Sequence, residues 1–181
     1  VITQAIVVDH QGMPGQFRTG FQIGPRMYYR QIDHGATVLA TGALPGRPDQ
    51  FLLDKHTAVV TQLDLDDLLD TQPERVTDWQ NVVMIQCAGS RTAANPNCSR
   101  ICCQTAIKNA LRLLELNPQA RLVVLYRYMR TYGFSEDAYL EARRKGVIFA
   151  RYAADTPPRV AENGDQVMIT FKDPVLGLDL E

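Results

Sequence analysis

Four cysteines carry most of the chemistry open to this sequence. Cys87, Cys98, Cys102 and Cys103 all lie in one stretch, Asn81 to Asn117, with the spacing C-x10-C-x3-C-C. Thiolates are soft ligands, and four of them suit a tetrahedral zinc ion or an iron–sulfur cluster. Zinc sites usually carry paired C-x2-C knuckles, and none is present. A cubane cluster is a larger object and tolerates looser spacing. A redox-active disulfide is a further option, and four small buried side chains at a helix start are the bland one.

These residues need elements to hold them. Val82 to Gln86 is continuously apolar and predicts a mid-sheet strand covered on both faces. Cys102 to Leu116 places Ile107, Leu111, Leu114 and Leu116 among charged residues, which predicts an amphipathic helix. Asn117 and Pro118 stop it. Cys102 and Cys103 would open that helix, where the dipole favours thiolates. Cys98 precedes Cys102 by one helical turn, and Cys87 arrives from the strand end. All four can then meet at the carboxyl edge of a sheet, where open α/β folds place ligands.

Arg121 to Tyr126 and Val147 to Tyr152 read as two more buried strands. Between them, Ser135 to Asp137 caps a helix running to Lys145, and Gly146 ends it. The order βαβαβ predicts an α/β fold with a Rossmann-like parallel lobe. A terminal β hairpin turns at Gly164-Asp165, followed by strands at Gln166 to Phe171 and Val175 to Leu180.

The amino-terminal part has another character. Val1 to Asp9, Phe17 to Ile23 and Arg26 to Ile32 read as a short antiparallel meander, with a turn at Gln11 to Gln16. Ala36 to Ala40 reads as a short strand entering Thr41-Gly42-Ala43, where small residues allow close approach to a ligand. Ala58 to Leu63 is a strand candidate. Asp64 to Asp70 is an acidic helix with Asp64 or Asp66 as its N-cap. A boundary near Gln72 separates a smaller, mainly-β segment, 1–72, from the lobe at 73–181.

Composition narrows the function. The net charge of −1 gives no footprint for nucleic acid or an anionic membrane surface. No apolar run reaches the length of a membrane span. Clustered cysteines without a secretion signal point to a reducing cytoplasm, where they serve metal or redox chemistry. His10, His34 and His56 show no ligand or triad spacing and read as loop residues. Arg91 and Arg100 flank the cysteines, either to tune an anionic cluster or as solvated loop arginines. The run from Tyr126 to Tyr132 is aromatic and basic, but without net positive charge it gives no nucleic-acid footprint.

Three segments, in order, carry a family resemblance: Cys87–Arg91 (CAGSR), Cys98–Cys103 (CSRICC) and Leu125–Gly133 (LYRYMRTYG). They resemble the flavoprotein component of CoB–CoM heterodisulfide reductase, its A subunit, and the relatives of that protein in anaerobes. Gly15–Phe17 (GQF) and Ala40–Ala43 (ATGA) are similar to the end of that family's FAD-binding half. The resemblance implies a thioredoxin-reductase-like fold that passes electrons between FAD and iron–sulfur clusters. It implies that Cys87, Cys98, Cys102 and Cys103 bind a [4Fe–4S] cluster, and that Ala40, Thr41 and Gly42 lie near FAD. It implies an oxidoreductase working with other subunits of an electron-transfer complex. The fingerprint G-x-G-x-x-G is absent and the chain does not start with methionine, so the expectation is an internal fragment, inactive alone and without NAD(P). Two other readings stand beside this one: a dinucleotide-fold docking module with structural cysteines, and a dithiol oxidoreductase using Cys102 or Cys103.

Overall fold

The computed structural model describes residues 1–181 and divides them into two compact units, Val1–Pro45 and Gly46–Glu181. In the first unit, β1 (Ala5–Met13), β2 (Gln16–Ile23) and β3 (Tyr28–His34) form an antiparallel sheet in that order. Pro14 and Gly15 make the first turn. Gly12 must be glycine: its φ is +110°, and a Cβ there would run into the Gln16 carbonyl oxygen. The meander expected from the sequence is therefore present. The strand expected at Ala36–Ala40 is not: this stretch and the Ala40-Thr41-Gly42 that follows are irregular and exposed. Strand propensity needs a ladder partner, and no strand of the unit pairs with this stretch.

The second unit is built on a parallel sheet of β4 (Asn81–Ile85), β5 (Arg121–Tyr126) and β6 (Ile148–Arg151), in the order β4-β5-β6. Helix α2 (Cys102–Leu116) connects β4 to β5, and α3 (Ser135–Arg144) connects β5 to β6. Both helices pack into one core with the sheet, as expected when successive right-handed crossovers step the same way. On α2 the stripe Ala106, Ile107, Ala110 and Leu113 is buried, a spacing that follows one helical face. It meets Leu122 and Val124 of β5, both essentially inaccessible. A second antiparallel sheet follows, from β7 (Arg159–Asn163), β8 (Gln166–Lys172) and β9 (Asp179–Leu180). The α/β class and the parallel βαβαβ lobe are as the pattern predicts.

Four local expectations are corrected. Strand β4 lies at the sheet edge with only Met84 fully buried; β5 holds the centre. No strand forms at Ala58–Leu63, because α1 (Gln62–Thr71) begins inside it. The N-cap of α1 is Thr61, with Asp64 closing a capping box from the third helical position. Helix α3 starts after Phe134 with no side-chain cap, and Ser135 is already helical. Helix α1 packs on α2 through the core residues Leu65 and Leu69, so compactness places residues 46–72 with the lobe that follows them.

Asn117 shows how the core is closed beneath the sheet. It ends α2, and its amide Nδ2 donates to the carbonyl oxygens of Val76 (3.2 Å) and Trp79 (2.7 Å). This satisfies the short 3-10 turn at Pro73–Val76, which carries the chain from α1 to β4.

Candidate functional site

At the end of β4, the Gln86 N–H donates to Leu125 O at 2.8 Å and extends the ladder by one residue. The chain then turns sharply at Cys87, which has a φ of +64°. Gly89 follows at +65°, and Arg91 and Arg100 are also left-handed. Left-handed non-glycine residues cost free energy and tend to gather where structure serves a site. The loop is braced from within: Arg91 N–H donates to Asn97 O, and Asn95 Nδ2 donates to Gly89 O at 3.0 Å. It is also braced from outside, since the Gly89 N–H donates to Gln50 Oε1 at 3.2 Å. A Cβ at Gly89 would lie 2.7 Å from the Pro48 Cβ, so only glycine fits.

Helix α2 then begins with Cys102 and Cys103. Its N-terminus has no side-chain cap. Cys102 is its first helical residue. Its pKa is pushed down to about 5 by hydrogen bonds from the Cys103 thiol, the Ser99 hydroxyl and the backbone N–H groups of Cys103 and Cys102, against the opposing effect of burial. Cys103 is pushed up, first by donating to Cys102 and then by burial. The Cys103 thiol also lies 3.9 Å from Tyr128 O. Cys87 is pushed up by burial and by the negative charge at Cys102, while the Arg127 N–H and the charges of Arg91 and Arg127 pull it down.

Backbone donors reach the remaining sulfurs. Arg100 N–H donates to Cys98 Sγ at 3.4 Å. Arg127 N–H faces Cys87, and Arg130 N–H faces Cys103. The loop after β5 thus lies against the thiols. Cys103 is buried and the other three are half-buried, all as free thiols.

The structure brings Cys87, Cys102 and Cys103 to one neighbourhood at the carboxyl edge of the sheet; Cys98 stands on the loop. No three His, Cys, Asp or Glu side chains converge as a single-ion cage. The donor set nevertheless fits a polynuclear thiolate-bound group in its chemistry: soft sulfurs, several N–H donors and nearby guanidinium charge. Two buried donors beside them, Gln86 Nε2 and Arg91 Nη1, have no partner, which is what the edge of an anion site would leave.

Ala40, Thr41 and Gly42 lie in the first unit, exposed, with Gly42 at a φ of +68°. A shallow cleft of about 590 Å³ in that unit is lined by Phe17, Arg18, Asp33 and His34, and none of Ala40–Gly42 contributes to it.

Two features escape the sequence reading. Tyr152, following β6, donates its hydroxyl to Gln86 O at 2.6 Å. The signal for it is topological: residues that follow parallel strands converge at one edge. The histidines also differ from expectation, because His10 and His34 belong to strands and share Thr19 between them. Only the register of β1, β2 and β3 could have shown that.

No family model matches the chain. Among curated proteins, it is 34% identical over 93 residues to the A subunit of the ferredoxin:CoB-CoM heterodisulfide reductase of Methanosarcina acetivorans, covering 50% of this chain and 11% of that protein. It is 29% identical over 164 residues to the A subunit of the H(2):CoB-CoM heterodisulfide,ferredoxin reductase of Methanothermobacter marburgensis, covering 81% of this chain and 24% of the relative. An iron-sulfur A subunit of the CoB–CoM heterodisulfide reductase of Methanopyrus kandleri is 26% identical over 79% of this chain and 24% of its own length. The chain is similar to the A subunit of heterodisulfide reductases. It spans a quarter of those proteins or less. The similarity covers most of the chain and agrees with the resemblance carried by the cysteine motifs. No helix is long and apolar enough to cross a membrane.

Proposed function

We propose that this chain is the cluster-bearing, electron-transfer part of a heterodisulfide-reductase-like flavoprotein. Cys87, Cys98, Cys102 and Cys103 would hold a [4Fe–4S] cluster, whose contribution is reversible one-electron exchange. The observation that carries this reading is the placement of the cysteines at one strand–loop–helix junction: Cys87 follows β4, Cys98 accepts the Arg100 N–H at 3.4 Å, Cys102 and Cys103 open α2, and Cys103 Sγ lies 3.9 Å from Tyr128 O. Thiolates that bind a cluster are stabilised by such donors, which also set its potential.

The chain's own residues do the holding. The N-terminus of α2 stabilises negative charge at Cys102 and Cys103. Cys87 is presented by the strand end, and the rigid turn at Gly89 fixes where Cys98 can return. Ala40, Thr41 and Gly42 would lie beside FAD in the longer protein. Redox exchange with FAD, oxidoreductase activity, partner subunits of an electron-transfer complex and a cytoplasmic setting belong to the same reading.

Anaerobic reconstitution of the chain with iron and sulfide tests it. The expected result is about four irons per chain, a broad visible band, and loss of both in Cys102→Ser. Protein that takes up no iron, or a Cys102→Ser variant that keeps its full iron content, overturns the reading and favours a docking module or a dithiol site.

A further inference from the structure

The thiols lie beside an unusual arrangement of positive charge. The guanidinium of Arg91 lies 4.6 Å from the centroid of the Tyr128 ring, and that of Arg151 lies 5.0 Å from the same centroid. Arg127 adds a third, its Nη1 donating to Arg91 O at 2.6 Å. None of the three takes part in any of the chain's ion pairs. Arg127 and Arg151 stand at the ends of β5 and β6 and Arg91 on the loop that follows β4, in a chain whose net charge is −1. A π face attracts one cation well, but gathering three like charges is unfavourable without an anion among them. Arg91 Nη1 is also buried and unpartnered, an open donor on the group nearest the cysteine turn. The carbonyl oxygen of Tyr128 lies 3.9 Å from Cys103 Sγ, which places the residue that carries the guanidiniums beside the thiols.

We propose that Arg91, Arg127 and Arg151, fixed by Tyr128, form a charge bracket that sets the reduction potential of the redox group held by the cysteines. This inference rests on the cluster reading above. Four thiolates around the cluster make an anionic object, and one-electron reduction makes it one charge more negative. Fixed positive charge favours the reduced state more than the oxidised one, so the bracket raises the potential. Tyr128 is the positioning residue: it touches both guanidiniums and holds them in place.

The test is an EPR-monitored potentiometric titration of the anaerobically reconstituted 181-residue chain, with dithionite as reductant. Arg91→Gln is expected to weaken reduction about tenfold, a fall of about 59 mV for one electron. Arg151→Gln, at an exposed position, should lower it in the same direction and guards against a folding defect at Arg91. Arg91→Lys, which keeps the charge, should recover most of the shift; a purely structural role would not show that pattern. Wild-type protein without iron removes the cluster reading and this inference together. Wild-type protein with a normal cluster, and Gln variants with full iron content and unchanged potential, overturn the bracket alone.

Discussion

Tyr152 donates its hydroxyl hydrogen to the carbonyl oxygen of Gln86 across 2.6 Å, in a buried setting where Tyr152 is 4% and Gln86 2% exposed. The bond ties the residue after β6 to the residue before Cys87. Gln86 O would have no other partner there, and an unpaired buried carbonyl costs its full desolvation. Tyr152→Phe is therefore expected to lower stability by about 1–3 kcal/mol in urea unfolding. A change below 0.3 kcal/mol would show that water replaces the hydroxyl, on the scale of a neutral surface substitution of roughly ±0.5 kcal/mol.

Gly89 answers to two constraints at once, a φ of +65° and the Pro48 ring against its open side. Gly89→Ala should cost roughly 1–3 kcal/mol from backbone strain with a steric part added. Pro48→Gly removes the Cβ and Cγ that make the clash, so Gly89→Ala should lower the urea midpoint less in a Pro48→Gly background than in the wild type. Equal losses in the two backgrounds would mean that the dihedral carries the whole effect.

The capping box of α1 has a defined pH signature. Hydrogen bonds from the Thr61 hydroxyl and then the Thr61 backbone N–H hold Asp64 below the usual carboxylate range, with Arg47 assisting and burial opposing. The folded pKa is depressed, so this stabilisation is complete above the unfolded value of about 3.9 and is lost as pH falls through the folded one. Thr61→Ala should cost about 1 kcal/mol at pH 7. At a pH below both values the Asp64-dependent part of that cost should vanish; a difference from wild type that stays constant down to acid pH would contradict the assignment.

Thr19 fixes two tautomers. His34 Nδ1 faces the Ala36 carbonyl at 2.8 Å and must donate to it. In the neutral ring its Nε2 then accepts from the Thr19 hydroxyl at 2.7 Å, and Thr19 Oγ1 in turn accepts from His10 Nδ1 at 2.7 Å. Nitrogen-15 NMR of the neutral rings should show both histidines as the Nδ1–H form. Thr19→Val should release His10 to the commoner tautomer mixture and cost about 1–3 kcal/mol at this buried position. Unchanged ring spectra in Thr19→Val would refute the relay.

The parallel lobe is legible in the sequence because its signals are redundant. Arg121–Tyr126 and Cys102–Leu116 show the right period, and the Asn117-Pro118 stop agrees with both. Ala58–Leu63 misleads because a β-branched run competes with a capping box starting inside it; the box wins since α1 buries Leu65 and Leu69 on α2. Val82–Ile85 has the composition of a central strand but occupies the edge, a property of sheet order that no single strand encodes. The cysteines are visible as a group by spacing. Their N–H donors are not, because every residue except proline carries one. The pairing of His10 with His34 depends on strand register, to which a one-residue slip is decisive.

That last property of the donors has a consequence for how the cysteine loop can vary. The groups that face the sulfurs are peptide N–H groups of Arg100, Arg127, Arg130 and the first residues of α2. Their identity is stored in dihedral angles and not in side-chain chemistry. Side chains at Arg100 and Arg130 can drift for other purposes, such as surface charge, while the N–H groups they carry stay in place. At those two positions a proline, which deletes the N–H, or a change that rotates the peptide, is what the thiols would read.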